Sequence, residues 1–110
     1  MMYTDFIAGD KEYRLRLNTR AIVALEKKLG CNPLAIFGDG DTIPPVTAMI
    51  AILHAALQPL NHGVTETDAM DIFDDYLADG HQMTDFLQVI IDIYKVSGLI
   101  KDVEVGDEKN

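Results

Sequence analysis

The sequence predicts a mainly α domain: an N-terminal β-hairpin followed by a small bundle of about four to five helices. Three observations carry this. Residues 2–17 alternate apolar and polar about a central Gly9-Asp10, the period of a half-buried strand pair. Residues 19–29, 66–78 and 84–97 space their apolar side chains three and four apart, the period of a helix with one buried face. Residues 45–57 are apolar nearly all round and follow Pro44-Pro45, the pattern of a helix buried on every side. One domain over residues 1–100 is expected, with the hairpin at 2–17, the bundle at 19–98 and a flexible charged tail at 101–110.

In the hairpin, a two-residue primed turn at Gly9-Asp10 sets Ala8 opposite Lys11 and so fixes the register. Phe6 then faces Tyr13, Thr4 faces Leu15 and Met2 faces Leu17 on an apolar side. The other side pairs Asp5 with Arg14, Ile7 with Glu12 and Tyr3 with Arg16. A one-residue slip would exchange the two faces, so this register is the self-consistent one. A lone hairpin is marginal in water and needs helices, or another copy's strands, against its apolar side.

The first helix is expected over Thr19–Leu29, capped by Asn18 or Thr19, stopped by Gly30 and burying Ile22, Leu25 and Leu29. Asn32 then caps a short second helix with Pro33 at its first position, where the missing N–H costs nothing. Gly38-Asp39-Gly40-Asp41 reads as a flexible loop. The third helix spans about Pro45–Leu57 and is expected to be the most buried element. Thr65 with Asp68 forms a capping box for a fourth helix at Glu66–Ala78, with Ala69, Ile72, Phe73, Tyr76 and Leu77 inward. A fifth helix at Thr84–Ser97 buries Phe86, Leu87, Ile90, Ile91 and Tyr94.

The net charge of −9 matters through its distribution. Residues 1–28 hold six Lys/Arg against four Asp/Glu, whereas residues 29–94 hold ten Asp/Glu and no Lys or Arg. An acidic body argues against nucleic-acid binding, which needs clustered cations, and against an anionic membrane surface. The longest apolar run, Met49–Leu57, is too short to span a bilayer. A single cysteine, Cys31, leaves no internal disulfide. With no basic start and apolar run behind Met1, a reducing cytoplasm is the expected location.

No enzyme or cofactor motif emerges. Read as a calcium loop from Asp75, the acidic series places Leu77 and Phe86 where oxygen ligands are required. The Asp39-Gly40-Asp41 start fails likewise at Ile43. His54, His62 and His81 show no metal spacing. Cys31 reads as a buried thiol at the turn, and Gly38-x-Gly40 lacks the strand and lysine of a phosphate loop. The two helices over 19–37 resemble a DNA-binding corner, but Leu34-Ala35-Ile36-Phe37 stand where base readers belong.

The wording of the chain adds to its periods. Lys11-Glu12-Tyr13-Arg14-Leu15-Arg16-Leu17 leads into Thr19-Arg20-Ala21-Ile22-Val23-Ala24-Leu25-Glu26-Lys27-Lys28-Leu29-Gly30. Asn32-Pro33-Leu34, Ile52-Leu53-His54-Ala55-Ala56-Leu57 and Tyr94-Lys95-Val96-Ser97-Gly98 follow. Over about residues 3–100 this resembles the small tail assembly chaperones of long-tailed (siphovirus-type) phages and prophages of Gram-positive bacteria. The resemblance implies a non-catalytic protein of the host cytoplasm that is absent from the mature virion. It implies two partners: a long helical tape measure protein, kept soluble and extended, and the tail tube protein, whose subunits it helps recruit. The family carries no ligand motif, so a binding surface has to come from chemistry.

Amphipathic partner segments suit a groove between helices, and an acidic surface complements their basic residues. The candidate partner surface is the edge of the third helix together with Asp68, Asp71, Asp74, Asp75 and Asp79 on the fourth. Coating a long partner takes many copies, so a homo-oligomer is expected, with Arg20, Lys27 and Lys28 meeting a neighbour's acidic body or the hairpin edge pairing between copies. The alternative is a small acidic regulator of a mobile element, antirepressor-like or a DNA mimic.

Overall fold

A computed structural model of the chain describes residues 2–37 and 43–101. Strands β1 (Thr4–Ala8) and β2 (Lys11–Leu15) pair antiparallel in the predicted register, from Thr4 opposite Leu15 to Ala8 opposite Lys11. The predicted outer pairs, Met2 with Leu17 and Tyr3 with Arg16, lie beyond this ladder. Both turn residues are left-handed, Gly9 at φ 57° and Asp10 at φ 72°, the primed geometry that matches strand twist. Phe6, Ala8, Leu15 and Leu17 are buried, while Asp5, Ile7, Glu12 and Arg14 face solvent.

Helix α1 (Thr19–Leu29) begins where the Asn18 side chain accepts the Ala21 N–H at 2.9 Å and ends at left-handed Gly30. It buries Ala21 and Leu25, leaving the predicted Ile22 and Leu29 only half-buried. The second predicted helix is a single 3-10 segment, Pro33–Phe37, with the Leu34 N–H on the Asn32 carboxamide at 2.9 Å. Five residues are too few to offset α-helix nucleation, so the tighter i to i+3 turn wins. Four α-helices therefore stand in the described chain, the lower of the expected numbers. Left-handed Gly30 turns the chain so that Pro33 is buried and Cys31 is exposed, correcting the expectation of a buried thiol.

Helix α2 (Val46–Leu57) is the centre of the core: nine of its residues are buried, and Met49, Ile52, Leu53, Ala56 and Leu57 are fully so. Helix α3 (Glu66–Ala78) opens with the predicted capping box, Asp68 N–H on Thr65 Oγ1 at 3.1 Å and Thr65 N–H on Asp68 Oδ2 at 3.0 Å. Helix α4 (Phe86–Val96) starts two residues later than predicted, behind a 3-10 turn at Met83–Asp85. Its buried face is Phe86, Ile90, Ile93 and Tyr94, with Leu87 and Ile91 half-buried. Ile93 replaces the expected Ile91 because α4 points that side toward α2 and the hairpin. The Gly38–Asp41 loop and the tail from residue 102 lie outside the described residues.

Three side-chain hydrogen bonds tie the hairpin to the helices, beside the Arg16 N–H donating to the Ala56 carbonyl of α2 at 3.1 Å. The Gly9 N–H donates to Asp79 Oδ2 at 2.8 Å, the Arg14 carbonyl accepts from Asn61 Nδ2 at 2.8 Å, and the Leu17 N–H donates to Ser97 Oγ at 2.7 Å. Asp79→Ala should free the turn at a cost of about 0.5–1.5 kcal/mol. Faster amide exchange at Gly9, with the α2 amides unchanged, is the expected reading; an unchanged Gly9 rate counts against this tie.

Tyr94 closes the other end. Its ring is fully buried against Phe37, 6.3 Å between centroids, and its hydroxyl donates to the Pro33 carbonyl at 2.9 Å. Burial, and secondarily the nearby Cys31, push its phenol above the ordinary tyrosine range. The raised group holds its proton in the fold while the unfolded chain loses it from about pH 10. Its stabilisation is therefore complete below about pH 10 and is lost as the pH climbs from there toward the folded value. Phenolate absorbance should show a late step that appears only with unfolding, and Tyr94→Phe should diminish that step.

Candidate partner-binding groove

Helix α3 carries two adjacent apolar stripes. Ala69, Ile72, Phe73 and Tyr76 are buried against α2, β1 and α4. Glu66, Met70, Phe73 and Leu77 follow at four- and three-residue spacing along the flank beside it, a second stripe in which Phe73 is buried, Leu77 half-buried and Met70 exposed. Together with Val46, Thr47 and Ile50 of α2 and with Met83, it lines a groove of about 510 Å³. Ile50 and Phe73 form a buried floor; Val46, Met70 and Met83 form lips 41%, 47% and 40% exposed. Exposed apolar side chains gathered along one groove mark an interaction surface more than scattered ones do. Methionine lips adapt to differently shaped partners, because the side chain is unbranched and polarisable.

Glu66 closes one end. Its carboxylate meets Lys28 Nζ of α1 at 3.2 Å, an exposed pair that also bounds a smaller cavity of about 210 Å³ between α1 and α2. That cavity is lined by Ala21, Ala24, Ala51 and Ala55, with His54 and Gln58 at its edge. Gln58 Nε2 is spent on the His54 and Val64 carbonyls at 3.1 and 2.8 Å, so the cavity offers packing space more than chemistry. Among the described residues no group of three or more His, Cys, Asp or Glu side chains could hold a metal ion, and no helix is long and apolar enough to cross a membrane.

A family of unknown function, DUF6096, matches residues 4–108, nearly the whole chain. The chain belongs to the DUF6096 family. Comparison with curated proteins found no match, and comparison with solved structures found none.

In this DUF6096 chain the five predicted carboxylates do not form one patch. Asp68, Asp75 and Asp79 lie on the flank of α3 away from the groove, and each has work inside the fold. Asp68 is the third-residue partner of Thr65 in the capping box, and the Thr65 backbone and hydroxyl bonds hold its carboxyl below the usual range. Asp75 lies so close to Gly9 that a Cβ there would stand 3.0 Å from the Asp75 Cβ. It also adds, after burial, to the raised phenol of Tyr13. Asp79 accepts the Gly9 N–H. Asp71 and Asp74 are exposed with no ion pair among the described residues, and Asp74 stands at the groove itself.

The basic set divides as well. Arg20 and Lys27 flank Val23 on the open face of α1, whereas Lys28 is turned to Glu66 of its own chain. Sequence reasoning placed the acidic residues but passed over Val46, Met70 and Met83. The signal was present in the spacing of 66, 70, 73 and 77, masked because Met70 stands among carboxylates.

Proposed function

We propose that this DUF6096 chain is a non-catalytic tail assembly chaperone that binds the tape measure protein, keeps it soluble and helps recruit tail tube subunits. One observation carries the reading: an open apolar groove runs along α3 with Asp74 at its lip and Asp71 outside it, in a stretch without a single Lys or Arg from 29 to 94. A long helical protein exposes amphipathic segments before assembly, and such segments lie in grooves of this kind. The resemblance over residues 3–100 supports the same role. Work in the host cytoplasm, absence from the mature virion and a homo-oligomer along the partner belong to the proposal.

The regulator reading is weaker on the geometry. A DNA mimic needs carboxylates in a regular outward row, and Asp68 and Asp79 are turned to backbone N–H groups of the fold.

Co-expression with the tape measure protein tests the proposal. That protein should stay soluble and co-purify with the tagged chain; if it precipitates as it does alone, the chaperone role falls. Light scattering on the Arg20→Ala/Lys27→Ala/Lys28→Ala variant addresses self-association. A smaller assembly is expected, with Lys28 contributing least because Glu66 already engages it.

A further inference from the structure

We infer that the α2/α3 groove takes one amphipathic helix of about three turns, recognised by its apolar stripe and basic flanks and not by a particular sequence; this rests on the chaperone reading. The length follows from the lining. Glu66 to Leu77 runs along the whole of α3, a rise of about 16 Å, or roughly eleven residues of a partner helix. Val46 and Ile50 on the opposite wall are one turn apart, so the groove offers successive slots for residues at i, i+3 or i+4, and i+7. Met70 and Met83 set the width, and their flexible side chains let differing apolar residues seat in turn. A chaperone that coats a long chain meets many unlike segments, and this wall suits that task.

Charge selects among occupants. The open carboxylate Asp74 lies at the lip, Asp71 stands on the solvent face outside it, and Lys28 at the end is held by Glu66. A partner helix with Lys or Arg beside its apolar stripe gains from Asp74 at the lip. The chain's own residues 102–110, DVEVGDEKN, carry four carboxylates and one lysine and would be repelled. The open face of α1 from a second copy offers Arg20 and Lys27 but only Val23 as a large apolar group. The occupant is therefore a basic amphipathic helix of another protein.

The test uses the full chain and three synthetic peptides of about fourteen residues. The first has leucines in a helical stripe with lysines elsewhere, the second replaces lysine by glutamate, and the third scrambles the first so that no stripe remains. The first should bind, at least about tenfold more tightly than the other two, and more weakly as salt rises. Met70→Glu and Val46→Glu alter exposed lips, so both should keep the wild-type melting curve while weakening the first peptide by about tenfold or more. Equal binding of the scrambled peptide, or no loss with either lip variant, overturns the groove. A melting change in one variant leaves the other, and Asp74→Lys, to decide by the same readout. Failure of the chaperone reading looks different: the peptide seats in the groove, yet the tape measure protein is not retained. A tape measure protein retained equally by Met70→Glu sinks the groove and spares the function.

Discussion

Phe86→Ala is expected to lower the unfolding free energy by about 3–5 kcal/mol, the range for removing a buried aromatic ring. Phe86 is fully buried at the first turn of α4. Its ring meets Phe73 at 5.2 Å, Phe6 at 5.9 Å and Tyr76 at 5.9 Å between centroids, the first two nearly perpendicular. Edge-to-face pairs of this kind add to the area term. The three partners belong to β1 and α3, so one ring joins the hairpin to two helices. Small domains hold only about 5–15 kcal/mol in total, so the variant should stand near the edge of folding. Urea unfolding measures it: the midpoint should fall steeply with the slope unchanged. Phe86→Leu keeps most of the volume and should lose much less. If Phe86→Ala cost under about 1 kcal/mol, the cluster would not be the joint described here.

The Asp71→Lys/Asp74→Lys pair is expected to give the largest functional loss without a matching loss of stability. Both residues are exposed and neither has an ion pair among the described residues, so the fold should shift by no more than about 0.5 kcal/mol. The charge changes by four units, two at the groove through Asp74 and two on the solvent face beside it through Asp71. On the proposed function, a basic partner segment meets repulsion at Asp74, and retention of the tape measure protein should fall by about tenfold or more at low salt. Raising the salt should narrow the gap between variant and wild type. Asp75→Lys belongs in a separate experiment, because it crowds Gly9 and would disturb the hairpin turn. Full retention by the double variant at low salt would remove the carboxylates from the binding surface.

These two residues show how far the sequence could be read. The acidic run at 68–79 was visible, and a helical period places Asp68, Asp71, Asp75 and Asp79 along one side. Which of them are free was not visible. Gly9 and Asp79 are seventy positions apart, and no local pattern records that the hairpin turn would settle on the end of α3. The groove was half legible for the same reason: the stripe 66, 70, 73, 77 is local to α3, but whether another element covers it depends on where α2 and the 3-10 turn at Met83 come to rest.

Local chemistry determined the rest directly. Gly9-Asp10 dictated a primed turn and with it the pairs of the ladder from Thr4–Leu15 to Ala8–Lys11, because the side-chain period of a strand leaves only one register with a single apolar face. Asn18, Gly30 and the Thr65–Asp68 box marked helix ends, since unsatisfied N–H and C=O groups there need partners within three residues. Tertiary structure alone decided that Pro33–Phe37 closes as a 3-10 turn under Tyr94, that Ile93 and not Ile91 is buried, and that three of five carboxylates are occupied while Asp71 and Asp74 stay open. Periodicity names a face of a helix; which part of that face stays uncovered is set by contacts between segments far apart in the chain.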